Sequence, residues 1–337
     1  MEEEFNPEKY KEVMPKNRSE LIESQQKQEN KMEIEIGEDK LNVEYQILDV
    51  RDENEIKKAQ EKGDKTIVVT PGFPASMRNL KELTKSLALE GKKVIVLSFP
   101  GFGKSDNPPE KWLGRNLLEK QSEVANQLLD KILAQEKQDD QQITTEQFTV
   151  IGPSMGAVLA TKLAKNHPER ISDLVLLHPA GLPVRQIELM MRSPGGSVRE
   201  KKAIKNKFEG NPEARQKALE RFEEMRLDGA KNWKGWARDK QRLTEVKLMA
   251  EGRAGFAEDI GEFKGNISLI SGSEDKLFNP NQLEKIKECC KNAKNVESQI
   301  IKGTSHSGPG YDAEEYSKEI VNVLNKWREE ELKEKQS

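Results

Sequence analysis

Residues 148–156 read FTVIGPSMG, a run of mostly apolar residues followed at once by a serine between two glycines. A G-x-S-x-G pattern between a buried strand and a helix is typical of the sharp turn that exposes a nucleophilic serine. Gly152 and Gly156 suit this turn because larger flanking side chains would collide in it. The sequence therefore predicts that Ser154 is a nucleophile, with an ordinary glycine-rich turn as the alternative.

Four further apolar runs accompany this one: TIVVT (66–70), VIVLSFP (94–100), LVLLHP (174–179) and NISLISG (266–272). Continuous apolar runs are typical of parallel strands that helices cover on both faces. Amphipathic helical stretches separate the runs, and residues 32–50 alternate like a β-hairpin. The predicted fold class is α/β, with a mostly parallel sheet flanked by helices.

Changes in composition predict the domains. Residues 1–31 are charged and rich in glutamine, and we interpret them as a polar N-terminal extension, either a solvated helix or a loose tail. Residues 32–181 and 263–337 carry the strands and form the core. Residues 182–262 contain no convincing strand, and their amphipathic stretches predict a helical insertion that stands on the sheet.

A serine nucleophile needs a base, and the chain has three histidines. His306 lies in the loop GTSHSGPG, where packing gives little reason for a histidine, and we predict it as the general base. His167 is expected to cap a helix C-terminus. His178 ends the run LVLLHP, where a place in the pocket wall is favoured over a role as base.

The residue that orients the base is expected after a strand and before His306 in the chain. Asp275 follows NISLISG in a G-x-x-D turn, and we favour it over its neighbour Glu274. The resulting order of serine, aspartate and histidine is that of one particular hydrolase fold.

Acyl transfer also needs backbone N–H donors for the oxyanion. One is expected on Met155, directly after the nucleophile. The other is expected on Phe73, which follows Gly72 in the loop after TIVVT. Losing one such donor typically costs about 2.7–4 kcal/mol in the transition state.

These motifs, together with the loops TPGFPAS and FPGFGKSDNP, resemble those of the α/β-hydrolase superfamily over roughly residues 32–327. The resemblance implies a nucleophile, a general base, an orienting acid and two oxyanion donors on Ser154, His306, Asp275, Phe73 and Met155. It also implies that residues 182–262 are the cap domain. Relatives often carry His-Gly before the oxyanion residue, whereas here Pro71 replaces the histidine.

Composition excludes several classes of protein. Charged residues make up 34% of the 337 residues, and no apolar run approaches the roughly 20 residues of a membrane span. The first residues, MEEEF, lack the features of a signal peptide. The net charge of -3 gives no basic excess for binding nucleic acid. Because Cys289 and Cys290 are adjacent, an ordinary structural disulfide within the chain is excluded and a reduced, cytoplasmic protein is expected.

Cofactor motifs are weak or missing. The run GKS at 103–105 lacks the earlier glycine and the following helix of a phosphate-binding loop. No Cys/His cluster has the spacing of a zinc site. We therefore expect neither a metal nor a cofactor.

The predicted cap has two open interpretations. Its basic residues outnumber its acidic ones. These charges are either solvated helix faces or attract anionic substrates. Its large apolar side chains, Trp233 and Trp236 among them, either pack the cap onto the core or form an adaptable apolar pocket.

The sequence favours a serine hydrolase that cleaves carboxylic esters of small molecules through an acyl-enzyme. Within the resembled superfamily the same triad serves carbon–carbon bond hydrolases, which are the second choice, and also aminopeptidases and acyltransferases. A non-catalytic binding protein on this fold is a further alternative, although such relatives usually lose a triad residue. The physiological substrate and the oligomeric state stay open.

Overall fold

The computed structural model describes residues 18–73, 75–113, 116–138, 147–183, 195–236, 252 and 254–336. Its strands are β1 (Asn30–Ile36), β2 (Asp39–Leu48), β3 (Thr66–Val69), β4 (Val94–Leu97), β5 (Phe148–Pro153), β6 (Ile171–Leu177), β7 (Asn266–Gly272) and β8 (Asn295–Ile301). They form one sheet in the order β1-β2-β4-β3-β5-β6-β7-β8. The pairs β1–β2 and β2–β4 are antiparallel and the others parallel, which confirms the predicted fold class.

Helices flank this sheet. They are α1 (18–27), α2 (Glu53–Glu61), α3 (Lys81–Leu89), α4 (Leu117–Gln138), α5 (Gly156–Asn166), α6 (Gly195–Lys207), α7 (Pro212–Trp236), α8 (Phe256–Glu262), α9 (Gln282–Cys289), α10 (Gly308–Tyr311) and α11 (Ala313–Gln336). Within the described ranges, none of them combines the length and the apolar character that crossing a bilayer requires.

Strand β5 explains why the apolar runs are continuous. Val150 is fully buried in a cluster with Leu128 of α4, on one face of the sheet. The next residue, Ile151, is fully buried in a second cluster with Leu83 of α3, on the opposite face. Successive side chains of a strand point to opposite faces, so a strand covered on both sides needs apolar residues throughout.

The residues described between β6 and β7 form helices and no strand. Ile204 of α6 and Phe222 of α7 pack against Tyr311 of α10 in a small apolar cluster of their own. The bounds 182–262 of the cap remain a prediction. The side chains of Trp233 and Trp236, expected in its apolar pocket or packing surface, lie outside the described residues.

From residue 18, where its described part begins, the N-terminal region differs from the solvated helix or loose tail that its composition suggested. In the part described, helix α1 packs on the core, because Ile22 is fully buried in the cluster beneath α3. Arg18 donates to the Glu55 carboxylate at 2.6 and 3.0 Å. Strand β1 begins at Asn30, inside the predicted extension. A buried apolar side chain, ion pairs and glutamine hydrogen bonds, such as that of Gln26 to the Lys81 carbonyl at 2.7 Å, thus dock a helix that is otherwise mostly polar.

Candidate active site

Ser154 lies at the turn from β5 into α5. Its φ angle is 55°, in the left-handed region that non-glycine residues rarely occupy. The Ser154 N–H donates to the Leu177 carbonyl at 2.8 Å, and the Ser154 carbonyl accepts the Ala180 N–H at 3.0 Å. Neighbouring backbone therefore holds the turn in a conformation that is disfavoured locally, as is common at functional sites.

Three glycines allow the backbone to approach this turn closely. A Cβ on Gly152 would lie 2.6 Å from the carbonyl carbon of Gly156. A Cβ on Gly156 would overlap the Thr70 carbonyl oxygen, and one on Gly72 would lie 3.1 Å from the Ser154 Cβ. The loop after β3 and the serine turn consequently touch through backbone atoms.

Ser154, His306 and Asp275 form a hydrogen-bonded chain. His306 Nε2 lies 3.1 Å from Ser154 Oγ, and His306 Nδ1 lies 2.9 Å from Asp275 Oδ2. An ionised carboxylate only accepts, so His306 carries its proton on Nδ1 and leaves Nε2 to accept the serine hydroxyl. This is the arrangement that general-base activation of a serine requires.

Asp275 is fully buried yet well supplied with donors. Its Oδ1 accepts the backbone N–H groups of Leu277 at 2.8 Å and Phe278 at 2.9 Å. Burial raises the pKa of Asp275, but the charge of His306 and the hydrogen bonds to Asp275 outweigh it, so the pKa falls well below its usual value. Its rival Glu274 is exposed and pairs with Lys276 at 3.6 Å.

His306 sits in a loop that Glu200 of α6 holds. The Glu200 Oε2 accepts the Ser305 hydroxyl at 2.8 Å and the Ser307 N–H at 3.1 Å, on either side of the histidine. Burial lowers the pKa of His306, but the charges of Asp275 and Glu200 and the bond to Asp275 raise it overall. Sequence reasoning missed Glu200, since nothing in a charged amphipathic helix marks a contact with a loop so distant in the chain.

His178, expected in the pocket wall, is buried and is not among the described lining residues of the cavity beside His306. His178 is 1% exposed, and its Nδ1 lies 2.7 Å from Asp275 Oδ2. The residue directly follows β6 and has a φ of 48°, in the left-handed region that non-glycine residues rarely occupy. His167, as predicted, is the C-cap of α5, where its N–H donates to Leu163.

The two expected oxyanion donors lie on segments that meet at Ser154. Met155 is buried directly after the serine. The ring of Phe73 packs edge-on against Phe102, with centroids 5.9 Å apart. The Gly72 carbonyl accepts the Ala75 N–H at 2.9 Å, which gives the Phe73 loop a tight turn. The role of Phe73 and Met155 as donors stays a prediction.

A cavity of about 700 Å³ opens beside His306. Helices α6 and α7 form one side of it, and the loop after β7 forms another. Its charged lining comprises four basic and two acidic residues, which are Arg199, Lys202, Arg226, Lys276, Glu200 and Glu274. In the described part of the lining, the cavity is therefore positively charged and adjoins the proposed base.

His178, Asp275 and His306 also form the one cluster of possible metal ligands found among the described residues. Both Nδ1 atoms hydrogen-bond the same carboxylate oxygen at 2.7 and 2.9 Å. A metal ion would have to replace both hydrogen bonds and the bond that orients His306. These three side chains thus fit a hydrogen-bonded network better than a metal centre.

Solved structures similar to this chain include a thermophilic esterase from Thermogutta terrifontis, with a TM-score of 0.54, 17% identity, and coverage of 89% of this chain and 98% of the esterase. A bacterial membrane phospholipase A gives a TM-score of 0.60 at 18% identity, covering 95% of each chain. A meta-cleavage product hydrolase from Pseudomonas fluorescens gives 0.56 at 15% identity, covering 85% of this chain and 95% of its own. At these identities the likeness concerns the fold alone.

No curated protein sequence matches the chain significantly. The sequence profile described as alpha/beta hydrolase fold matches residues 65–309. This range runs from the start of β3 through the proposed nucleophile, acid and base, and it is well over half of the chain. The chain therefore belongs to the alpha/beta hydrolase fold family.

Proposed function

We propose that this protein is a serine hydrolase that cleaves carboxylic esters through an acyl-enzyme on Ser154. The observation that carries the proposal is the continuous hydrogen-bonded chain from Ser154 Oγ through His306 to Asp275. The buried, ionised carboxylate fixes the tautomer of His306, and the imidazole accepts the serine proton.

In the first half of the reaction, Ser154 Oγ attacks the ester carbonyl carbon while its proton passes to His306 Nε2. The carbonyl oxygen becomes an oxyanion, which the N–H groups of Phe73 and Met155 stabilise. When this intermediate collapses, His306 gives the proton to the leaving alcohol. The products are the free alcohol and an ester of the acyl group with Ser154.

The second half repeats the first with water. His306 Nε2 takes a proton from water, and the resulting hydroxide attacks the acyl carbon. Collapse of this intermediate breaks the bond to Ser154 Oγ, which takes the proton back from His306. The acyl group leaves as a carboxylic acid, and no cofactor takes part.

We place the substrate in the cavity beside His306, with residues 182–262 acting as the cap. The packing of α6 and α7 over α10 and the contribution of both helices to the cavity lining support this assignment. The apolar contact there includes Phe222, which is buried. Cap geometry then determines which acyl and alcohol groups fit.

The decisive experiment labels the protein with a fluorophosphonate and measures hydrolysis of p-nitrophenyl butyrate. Ser154→Ala and His306→Ala should each reduce kcat by about 10⁴-fold or more. Ser24→Ala is the control, because that serine is exposed on α1. Failure of the folded wild-type protein to label would overturn the proposal in favour of a binding protein.

Substrate panels separate the enzymatic alternatives that share this triad. The proposal predicts that esters of graded chain length turn over faster than a meta-cleavage product, which is the substrate class for a carbon–carbon bond hydrolase. Peptide anilides and acyl acceptors test the aminopeptidase and acyltransferase alternatives. Preferred turnover of any of these over every ester would contradict the esterase assignment.

A further inference from the structure

We propose that His178 is a positioning residue, which holds the Asp275 carboxylate so that the same oxygen can orient His306. The inference rests on the proposed function of Ser154, Asp275 and His306. It assigns His178 no contact with substrate.

Both imidazoles converge on a single oxygen atom. Asp275 Oδ2 lies 2.7 Å from His178 Nδ1 and 2.9 Å from His306 Nδ1. The two rings are nearly perpendicular, at 78°, with their centroids 5.4 Å apart. The other oxygen, Oδ1, is bound by two backbone N–H groups. His178 thus supplies the only side-chain donor, besides His306, that is described on this carboxylate.

His178, whose ring contacts Asp275, has a strained backbone conformation. Ser154 and His178 are the non-glycine residues with positive φ in the described part of the chain, at 55° and 48°. The His178 N–H donates to the Ile270 carbonyl at 2.7 Å, which anchors this conformation between β6 and β7. Strain of this kind persists where the surroundings enforce it, and it clusters at functional sites.

The protonation state of His178 follows from its neighbours. Burial lowers the pKa of His178 and outweighs the opposing effect of Asp275, so the ring is neutral. Since Nδ1 donates to the carboxylate, Nε2 must accept. It lies 2.5 Å from the hydroxyl of Tyr316, whose pKa burial raises well above the usual value, so the tyrosine keeps its proton and donates it. Thr304 Oγ1 lies 3.0 Å from the same hydroxyl.

A donor on Asp275 acts on the base in two ways. It fixes the carboxylate, and a misplacement of about 1 Å in such a group can cost about 100-fold in rate. It also reduces the negative charge that His306 experiences from Oδ2. Removing the donor should therefore lower kcat and raise the pKa of His306, because an opposite charge nearby favours the protonated imidazole. The other charged group facing His306 from α6, Glu200, stays in place.

The test compares His178→Gly, which tolerates positive φ and lacks a donor, with His178→Asn. Asparagine also tolerates this backbone and offers an amide N–H to Asp275. We expect the Gly variant to lose about 10–100-fold in kcat with little change in KM. In its profile of kcat/KM against pH, the acid limb should shift to higher pH by about half a unit or more. The Asn variant should recover most of kcat and the wild-type limb.

Two further measurements test the role of His178. NMR titration of His306 follows its pKa without substrate. It therefore separates failure of this inference from failure of the esterase proposal, which wild-type labelling of Ser154 tests. Tyr316→Phe removes the hydroxyl that fixes His178 Nε2 as the acceptor, and it therefore weakens the donation from Nδ1 to Asp275. It should shift the acid limb in the same direction, even if the Gly variant does not fold. Wild-type kcat and pH dependence in folded His178→Gly or in folded Tyr316→Phe would overturn the inference. Equal losses of kcat in His178→Gly and His178→Asn with an unmoved acid limb would overturn it as well.

Discussion

Replacing Gly156 by alanine tests how tightly the serine turn packs against β3. Gly156 is the first residue of α5 and its φ is not positive, so alanine adds no backbone strain there. The added Cβ would overlap the Thr70 carbonyl oxygen and lie 3.0 Å from that of Pro71. Both obstacles are backbone atoms. We therefore expect a cost near the upper end of the usual range for overpacking, about 3 kcal/mol.

This cost has two measurable consequences. At about 2.1 cal/mol/K of unfolding entropy per residue, a loss of about 3 kcal/mol should lower the Tm by about 4 °C in a chain of this size. Relief of the clash moves the loop after β3 away from Ser154, and with it the expected oxyanion donor Phe73. Because one such donor is worth about 10²–10³ in kcat, hydrolysis of p-nitrophenyl butyrate should fall by about that factor.

Gly229→Ala is the matched control. Gly229 lies in helix α7, where an added Cβ meets nothing within 4 Å. There alanine should stabilise the helix by about 1 kcal/mol and leave kcat unchanged. Calorimetry measures the Tm of both variants, and steady-state kinetics measures their kcat. If Gly156→Ala melts like the wild-type protein and keeps its kcat, the steric reasoning fails.

Three more outcomes are expected. His306 must be neutral to accept a proton, and its pKa is raised. In a pH–rate profile, kcat/KM should therefore fall as the pH drops through a midpoint above about 6.5. A midpoint below about 6 would contradict this. Arg328→Met removes one of the two cationic partners described for the fully buried Asp173 carboxylate and leaves Lys65 at 3.4 Å. In guanidinium unfolding, the free energy of unfolding should fall by about 3 kcal/mol, and adding Asp173→Asn should largely restore it. Stability close to wild type would refute the role of the pair. The excess of basic residues in the cavity lining predicts that kcat/KM for an acidic ester falls more steeply with salt than for a neutral ester, and equal slopes would count against it.

The sheet and the three proposed catalytic residues were predictable because their signals are local. The continuous apolar runs reflect burial on both faces, which the two core clusters display. Ser154 is marked by its glycines, and Asp275 by its place after a strand. In the sequence, His306 stands out as a histidine in a loop of small and polar residues, GTSHSGPG. In the structure His306 lies within hydrogen-bonding distance of both Ser154 and Asp275.

Other features depend on contacts that single-chain patterns do not encode. His178 has a positive φ, and a histidine gives no sign of that conformation in the way a glycine does. The docking of α1 combines the buried side chain of Ile22 with polar contacts to distant residues, such as the bonds from Arg18 to Glu55. Glu200 meets Ser305 and Ser307 only after the chain has passed through two further strands.

The link from Glu200 to the histidine loop limits how this protein can be modified. Helix α6 contributes to the cavity wall and, through one carboxylate, also secures both residues that flank His306. The helical region is therefore not an interchangeable module. A graft that brings in the corresponding region of a relative to change substrate range would also remove an anchor of the base, unless an acidic residue is kept at this position.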